Sequence, residues 1–555
     1  MLGTVAQAAD LPLKAPAPIA APAWAGFYVG TGFGFRANDA DLSVRSATDT
    51  SNAPVIQNMF VAANCFVGLP CATGQSFNAT AFRVSPYAGY NWQFDQFVAG
   101  IEGEFGFADQ SRTSGSYYPA PSLFRPGSTT NSFIFKTTWD ASIRARAGYV
   151  IDPSLLVYGT AGPSWIHVET TSNCSTLTAF DGDCAAGGAR AFGPANITNS
   201  KTLLGYTVGG GLEALLTPNW IARAEYRYSD YGRTSDTNVR SSVNGTQTVT
   251  YDTALRTHTA TFGIAYKFGG GPLASSLAAY AAMPETASWA GFYVGTTAGV
   301  RANNVSSRVN KDVLATSFFT SDLAANCQCF LDSAYDTTAA RIGPYIGYNW
   351  QIAPRWVVGI EGDAAYASAQ ATTYGYSFPG TALNGSSGGM NDSFSVRTKW
   401  DASIRARLGF VVNPSVMLYL TGGAAWTEIE QTSRCDTAVK ALLTAPGFAS
   451  AEIGSCAPGL KSPAVISQSS IRPGFTIGAG GETKLGRNWV LRGEYRYTDF
   501  GTANFTSARS CASTATFDLP GYGTAVIPCF ATETISNSVR LQTHAAMFGI
   551  SYKFD

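Results

Sequence analysis

A long internal duplication runs through the 555 residues and constrains the fold more than any other feature. Trp24-Ala-Gly-Phe-Tyr-Val-Gly-Thr31 returns as the segment from Trp289 to Thr296, and Trp139-Asp-Ala-Ser-Ile-Arg-Ala-Arg146 returns from Trp400 to Arg407. Gly89-Tyr-Asn-Trp-Gln93 recurs from Gly347 to Gln351, Glu225-Tyr-Arg-Tyr228 from Glu494 to Tyr497, and Tyr266-Lys-Phe268 from Tyr552 to Phe554, all in the same order. A repeat far longer than the ~20–50 residues of a solenoid period is a duplicated domain. The expected units are 24–268 and 289–555, joined by a Gly/Pro/Ser/Ala linker over 269–288. Residues 1–23 read as the tail of a signal peptide, ending at Ala6-Gln7-Ala8, followed by a Pro/Ala tether from Pro12 to Pro22.

Each unit reads as β structure. Only 13% of residues are charged, 13% are aromatic and 58 are Gly, which is too apolar for disorder and too Gly-rich for a helical enzyme. Lys+Arg and Asp+Glu both number 37, leaving no basic field to attract nucleic acid. No apolar run of eighteen residues offers a membrane helix, which leaves a closed barrel as the only spanning solution. Eight alternating segments begin near Trp24, Ala81, Gln96, Phe135, Ser154, Lys201, Trp220 and Tyr251. Tight turns are expected at Gln93–Gln96, Ile151–Ser154 and Leu216–Asn219, and in the second unit at Ile352–Arg355, Val412–Ser415 and Leu485–Asn488. The other connections run to roughly twenty to forty residues. Such asymmetry suits a transmembrane barrel with short periplasmic turns and long outer loops.

Period-two alternation assigns the faces. In strand one Phe27, Val29, Phe33 and Phe35 share a face opposite Gly30, Gly32 and Gly34, whose lack of side chains leaves room for long arginines inside. The polar face then carries Glu102, Glu104, Asp140 and Glu225 against Arg144, Arg146, Arg223 and Arg227. In the second unit it carries Glu361, Asp363, Asp401 and Glu494 against Arg405, Arg407, Arg492 and Arg496. Four acids facing four arginines predict a buried ion-pair plug in each lumen. Trp92, Trp165, Trp220, Tyr226, Tyr228, Trp350, Trp426 and Trp489 are expected in the interfacial girdles.

With these motifs together, and with Ala8-Ala-Asp-Leu-Pro12 preceding them, the chain resembles the eight-stranded outer-membrane immunogenic, or surface-antigen, proteins of alphaproteobacteria, grouped with OmpA-like barrels. The resemblance covers nearly the whole chain twice and implies an all-β fold of two tandem eight-stranded barrels in the bacterial outer membrane. The alternative left open is one merged sixteen-stranded barrel, a porin with an aqueous channel.

The ten cysteines fall in predicted outer loops as close couples. Local disulfides are expected for Cys65/Cys71, Cys174/Cys184, Cys435/Cys456 and Cys511/Cys529, while Cys327 and Cys329 are too close for an unstrained bridge. No His lies beside a couple, which disfavours metal. The three histidines, His167, His258 and His544, give little acid–base chemistry, with His258 and His544 expected at the start of the last strand of each unit. No catalytic residue, cofactor or metal is therefore expected. The function expected is structural and surface-interacting, with partners in outer-membrane lipid, lipopolysaccharide and the barrel-assembly machinery.

Overall fold

A computed structural model describes residues 24–48, 74–115, 132–173, 194–242, 245–269, 288–316, 320–322, 332–374, 393–435, 439–444, 448–453, 461–485, 488–511, 514–519, 523–528 and 531–554. The first unit is walled by β1 (Gly26–Thr48), β2 (Ala79–Phe94), β3 (Phe97–Gly115), β4 (Ser132–Asp152), β5 (Leu155–Asn173), β6 (Asn196–Leu215), β7 (Trp220–Ser242) and β8 (Gly245–Lys267). The second is walled by β9 (Gly291–Thr316), β10 (Thr337–Ala353), β11 (Trp356–Tyr374), β12 (Ser393–Asn413), β13 (Val416–Arg434), β14 (Val465–Leu485), β15 (Trp489–Cys511) and β16 (Ala531–Lys553). Neighbours in sequence are antiparallel neighbours in each wall.

Each wall closes on itself. β1 pairs with β8 from Tyr28 opposite Lys267 up to Thr48 opposite Thr248. β9 pairs with β16 from Tyr293 opposite Lys553 up to Thr316 opposite Ala531. The merged sixteen-stranded barrel is thereby overturned, because first and last strands satisfy each other's backbone groups within a unit and leave no edge to join the other copy.

The short turns fall where Asp, Asn and Pro supply the geometry: Asp95 has φ 52° between β2 and β3, and Asn219 donates its side-chain amide to the Lys267 carbonyl at 3.0 Å. At the opposite end the strands run further than the alternation suggests. β7 and β8 pair up to Ser242 opposite Gly245, so the long loop expected there is a tight hairpin. Cross-strand hydroxyl pairs such as Thr237/Thr250, at 3.0 Å, carry the ladder through this polar stretch. His258 and His544 consequently lie well inside β8 and β16 rather than at their starts.

Pairing is incomplete above the middle of each wall. β2 and β3 stop pairing at Val84/Phe107, and β6 and β7 stop at Tyr206/Asp230. The second unit repeats this at Ile342/Tyr366 and Phe475/Asp499. A bulge sits at the split: Asp230 accepts the Gly232 amide at 2.8 Å, and Gly232, at φ 70°, shifts the register by Arg233. That conformation is one that glycine adopts without strain. Asp499 and Gly501 repeat the device, with the amide bond at 2.7 Å and φ 65°. Above the split each tube becomes two facing half-walls, β7–β8–β1–β2 and β3–β4–β5–β6 in the first unit, packed as a β-sandwich.

Candidate functional site

The interior of the first unit is filled in three layers. Its floor, beside the short turns, is apolar: Trp24, Tyr28, Tyr87, Val98, Val150, Leu156, Ile221 and Ala265. The amide of Trp24 donates to the Gln93 side chain at 2.9 Å, drawing the entering chain across the opening.

The middle layer is charged. All eight predicted lumen residues of the first unit come together here. Arg144 bridges Glu225 and Glu104 at 2.6 Å each and also pairs with Glu102. Arg227 reaches Glu104 at 3.0 Å, Arg223 donates to Glu102 at 3.0 Å, and Asp140 receives Arg83 at 2.5 Å and Arg36 at 2.6 Å. Arg146 donates to the Tyr28 hydroxyl at 2.5 Å and pairs with Glu213 at 2.9 Å. In the second unit Arg405 pairs with Glu494 at 2.7 Å, Arg407 with Glu482 at 2.8 Å, and Arg496 with Asp363 at 2.9 Å. Arg492 donates to Glu361 at 2.9 Å, and Arg341 holds Asp401 at 2.6 Å. Stacking adds to the packing: the Arg223 guanidinium lies 4.0 Å from the centre of the Tyr87 ring, and Arg492 lies 4.1 Å from that of Tyr345.

The expected balance of four against four needs correction. Arg36, Arg83 and Glu213 also belong to the first layer, and Arg301, Arg341 and Glu482 to the second, so that six arginines face five carboxylates in each. Strand parity could have found them. Arg36 continues the face of Gly30, Gly32 and Gly34, Arg83 that of Ser85 and Tyr87, and each of the six is charged in both copies. Glu213 stands directly opposite Arg223 in the β6–β7 ladder.

Above the charges lies an apolar cap between the half-walls. Ala40, Leu42, Tyr231, Val249, Tyr251 and Leu255 on one side meet Phe133, Phe135, Ile166 and Val168 on the other. Val305, Phe505, Val539 and Leu541 against Phe394, Val396 and Ile429 repeat it in the second unit. Hydrogen bonds cross the same gap: Arg240 donates to the Ser172 hydroxyl at 2.8 Å, and Gln431 and Asn537 exchange amide bonds at 3.1 and 2.6 Å.

The outer face is the reverse. Phe107 is 57% exposed, Ile143 51% and Ile404 55%, an apolar surface that only lipid covers. Trp92, Trp220, Trp350 and Trp489 are exposed beside the short turns, while Trp165, Tyr226, Tyr228 and Trp426 stand partly exposed higher up. From Trp220 to Asp230 a strand rising ~3.3 Å per residue at a tilt of ~40° climbs about 25 Å, the height of a transmembrane apolar band.

The two matched histidines differ in their acid partners. His258 Nδ1 lies 2.7 Å from the Tyr226 hydroxyl and its Nε2 3.3 Å from Asp39, but Asn304 replaces that acid in the second unit. Ser200 meets His167 at 3.2 Å on the exposed face. No cluster of metal-ligating side chains occurs among the described residues. Cys435 is buried at the end of β13, and Cys511 ends β15. Cys65, Cys71, Cys174, Cys184, Cys327, Cys329, Cys456 and Cys529 lie outside the described residues, as do residues 1–23 and 270–287.

A closed antiparallel wall, apolar outside and charged within, defines an outer-membrane β-barrel, present here twice. The outer membrane protein beta-barrel domain matches residues 4–268 and again 272–554, and the chain belongs to that family of the outer membrane. It is 32% identical to the 22 kDa outer membrane protein of Rhizobium leguminosarum bv. viciae over 28% of this chain and 56% of that protein. It is 28% identical to the 31 kDa outer-membrane immunogenic protein of Brucella melitensis biotype 1 (strain ATCC 23456 / CCUG 17765 / NCTC 10094 / 16M) over 40% of this chain and 76% of the relative. With the 25 kDa outer-membrane immunogenic protein of Brucella abortus biovar 1 (strain 9-941) it shares 26% identity over 46% of this chain and 85% of the relative.

Proposed function

We propose that the protein is a non-enzymatic, non-conducting surface protein: two lipid-embedded barrels that hold two outer sandwiches, and the loops above them, at the cell surface. The three-layer filling of each lumen carries this reading. Eight strands enclose a bore that side chains can fill, and here an apolar floor, paired charges and an apolar cap occupy it in series. The charged layer acts as a structural plug, since desolvated guanidiniums are stable only beside carboxylates.

The domain plan that accompanies this is a signal remnant and tether over 1–23, barrels over 24–268 and 289–555, and a linker over 269–288. Local disulfides staple the loops in this reading, as close cysteine couples in an oxidising compartment would. Lipid and lipopolysaccharide surround the exposed apolar wall, and the barrel-assembly machinery inserts it. Conductance of the refolded protein in planar bilayers tests the proposal: silence is expected, and stable steps of porin size overturn it.

A further inference from the structure

Several outward-facing side chains are buried where lipid should expose them. On β1, Phe27 and Phe33 are each 45% exposed, yet Phe35, on the same face, is 0% exposed. Its ring lies 5.9 Å from that of Tyr495 and 5.8 Å from that of His544, both in the other unit. Ala37 and Ala260 of the first unit cluster with Ala302 and Ala546 of the second, flanked by Tyr226, Val300 and Tyr495.

These residues are equivalent positions of the repeat. Ala37 corresponds to Ala302, Phe35 to Val300, Ala260 to Ala546 and Tyr226 to Tyr495. A Cβ built on Gly493 would stand 3.1 Å from the Cβ of Ala224, its own counterpart. Above the apolar band Asn78 donates to the carbonyl of Asp336, again its counterpart, at 3.3 Å, and Arg112 reaches the Asp336 carboxylate at 3.6 Å. The strand contacts are reciprocal as well, β9 touching β2 and β1 touching β10. A surface whose residues meet their own equivalents is the isologous contact of a two-fold dimer.

We infer that each barrel carries a self-complementary docking face centred on Ala37/Ala302, Ala260/Ala546 and Ala224/Gly493, and that the tandem chain is a covalently linked dimer of barrels joined through it. The chemistry suits a contact in lipid. Hydrocarbon supplies no hydrophobic drive for apolar surfaces to meet, so association rests on close packing, which small side chains permit. Alanine and glycine line the middle of this seam, while its polar contacts, Asn78, Asp336 and Arg112, lie at the water-exposed end. The inference holds whether or not the barrels conduct.

The test inserts a protease site into 270–287 of the full chain, refolds it in detergent and cleaves it afterwards. The two barrels should co-elute after cleavage, and Gly493→Phe, which drives a ring into Ala224, should separate them while each remains heat-modifiable. Ile101→Phe, on an exposed lipid face away from the seam, should leave them together. If Gly493→Phe does not refold, Ala37→Glu serves as the second wedge. Separation of the cleaved wild type, or co-elution unchanged by a folded seam variant, overturns the inference.

Discussion

Phe133 of β4 meets Tyr251 of β8 edge-on, with ring centroids 5.4 Å apart and planes at 90°, across what would be the bore of the first barrel. The contact ties the two half-walls above the split. Phe133→Ala removes a buried ring from this cap and should destabilise the outer sandwich by about 3–5 kcal/mol. Limited proteolysis of the folded protein should then cut within β4 or β8, while bilayer recordings stay silent because the charged layer below is intact. Unchanged proteolysis would remove the cap from the account.

Arg144 contacts three carboxylates at the centre of the charged layer. Arg144→Ala leaves Glu102, Glu104 and Glu225 buried with fewer cations, and breaking a buried pair in this way costs about 3–5 kcal/mol. Urea unfolding followed by heat-modifiability should show the first barrel weakened and the second unaltered. Arg405→Ala should do the converse, since Arg405 pairs with Glu361 and Glu494.

Two glycines of β3 separate space from conformation. A Cβ on Gly106 would lie 2.1 Å from the Arg83 guanidinium, which Asp140 and Glu104 hold in place, whereas a Cβ on Gly103 meets nothing within 4 Å. Gly106→Ala should therefore destabilise the first barrel measurably in the same unfolding assay, and Gly103→Ala should not. Equal effects would show that the lumen is looser than the ion pairs imply.

Asp336, at the water-exposed end of the seam, is pushed up to about 6 by burial, with Arg112 and the Val305 amide only partly opposing the shift. A carboxyl raised in the docked state binds its proton more tightly there than when undocked. Docking is therefore favoured below the ordinary carboxylate value and loses stability as pH rises to about 6, by about 1.4 kcal/mol per unit. The cleaved, linker-free protein should co-elute more completely at pH 5 than at pH 7.5, and Asp336→Asn should abolish the difference. Asp109 and Arg540, which share the pocket between the sandwiches, are left unaltered as the background.

The alternation and the short turns made the barrels legible, because period two and Asp/Asn/Pro chemistry are local. The same alternation placed all sixteen expected charges in the lumens, and Arg36, Arg83 and Glu213 with their counterparts required only that parity be carried to the strand ends. The pairing of β7 with β8 up to Ser242 opposite Gly245 was not read, because this mostly polar stretch shows little apolar alternation. The sandwich was less accessible. Its signal is the repeated Asp-aromatic-Gly of Asp230-Tyr231-Gly232 and Asp499-Phe500-Gly501, which flips the register and turns Tyr231 and Phe500 into the cap. The seam was not legible at all, since Phe35 has the composition and parity of a lipid-facing residue and only the second unit's position buries it.

Because the pairing of β6 with β7 and of β14 with β15 ends at one height in both copies, whatever is inserted above it hangs on a separate layer. The copies already use that freedom: β7 and β8 join in a tight hairpin, while a two-stranded ribbon, Thr514–Leu519 with Gly523–Pro528, stands between β15 and β16. A gene coding for this chain can rewrite that outer layer without renegotiating insertion into the bilayer, and twin copies let one outer layer drift while the other keeps its shape.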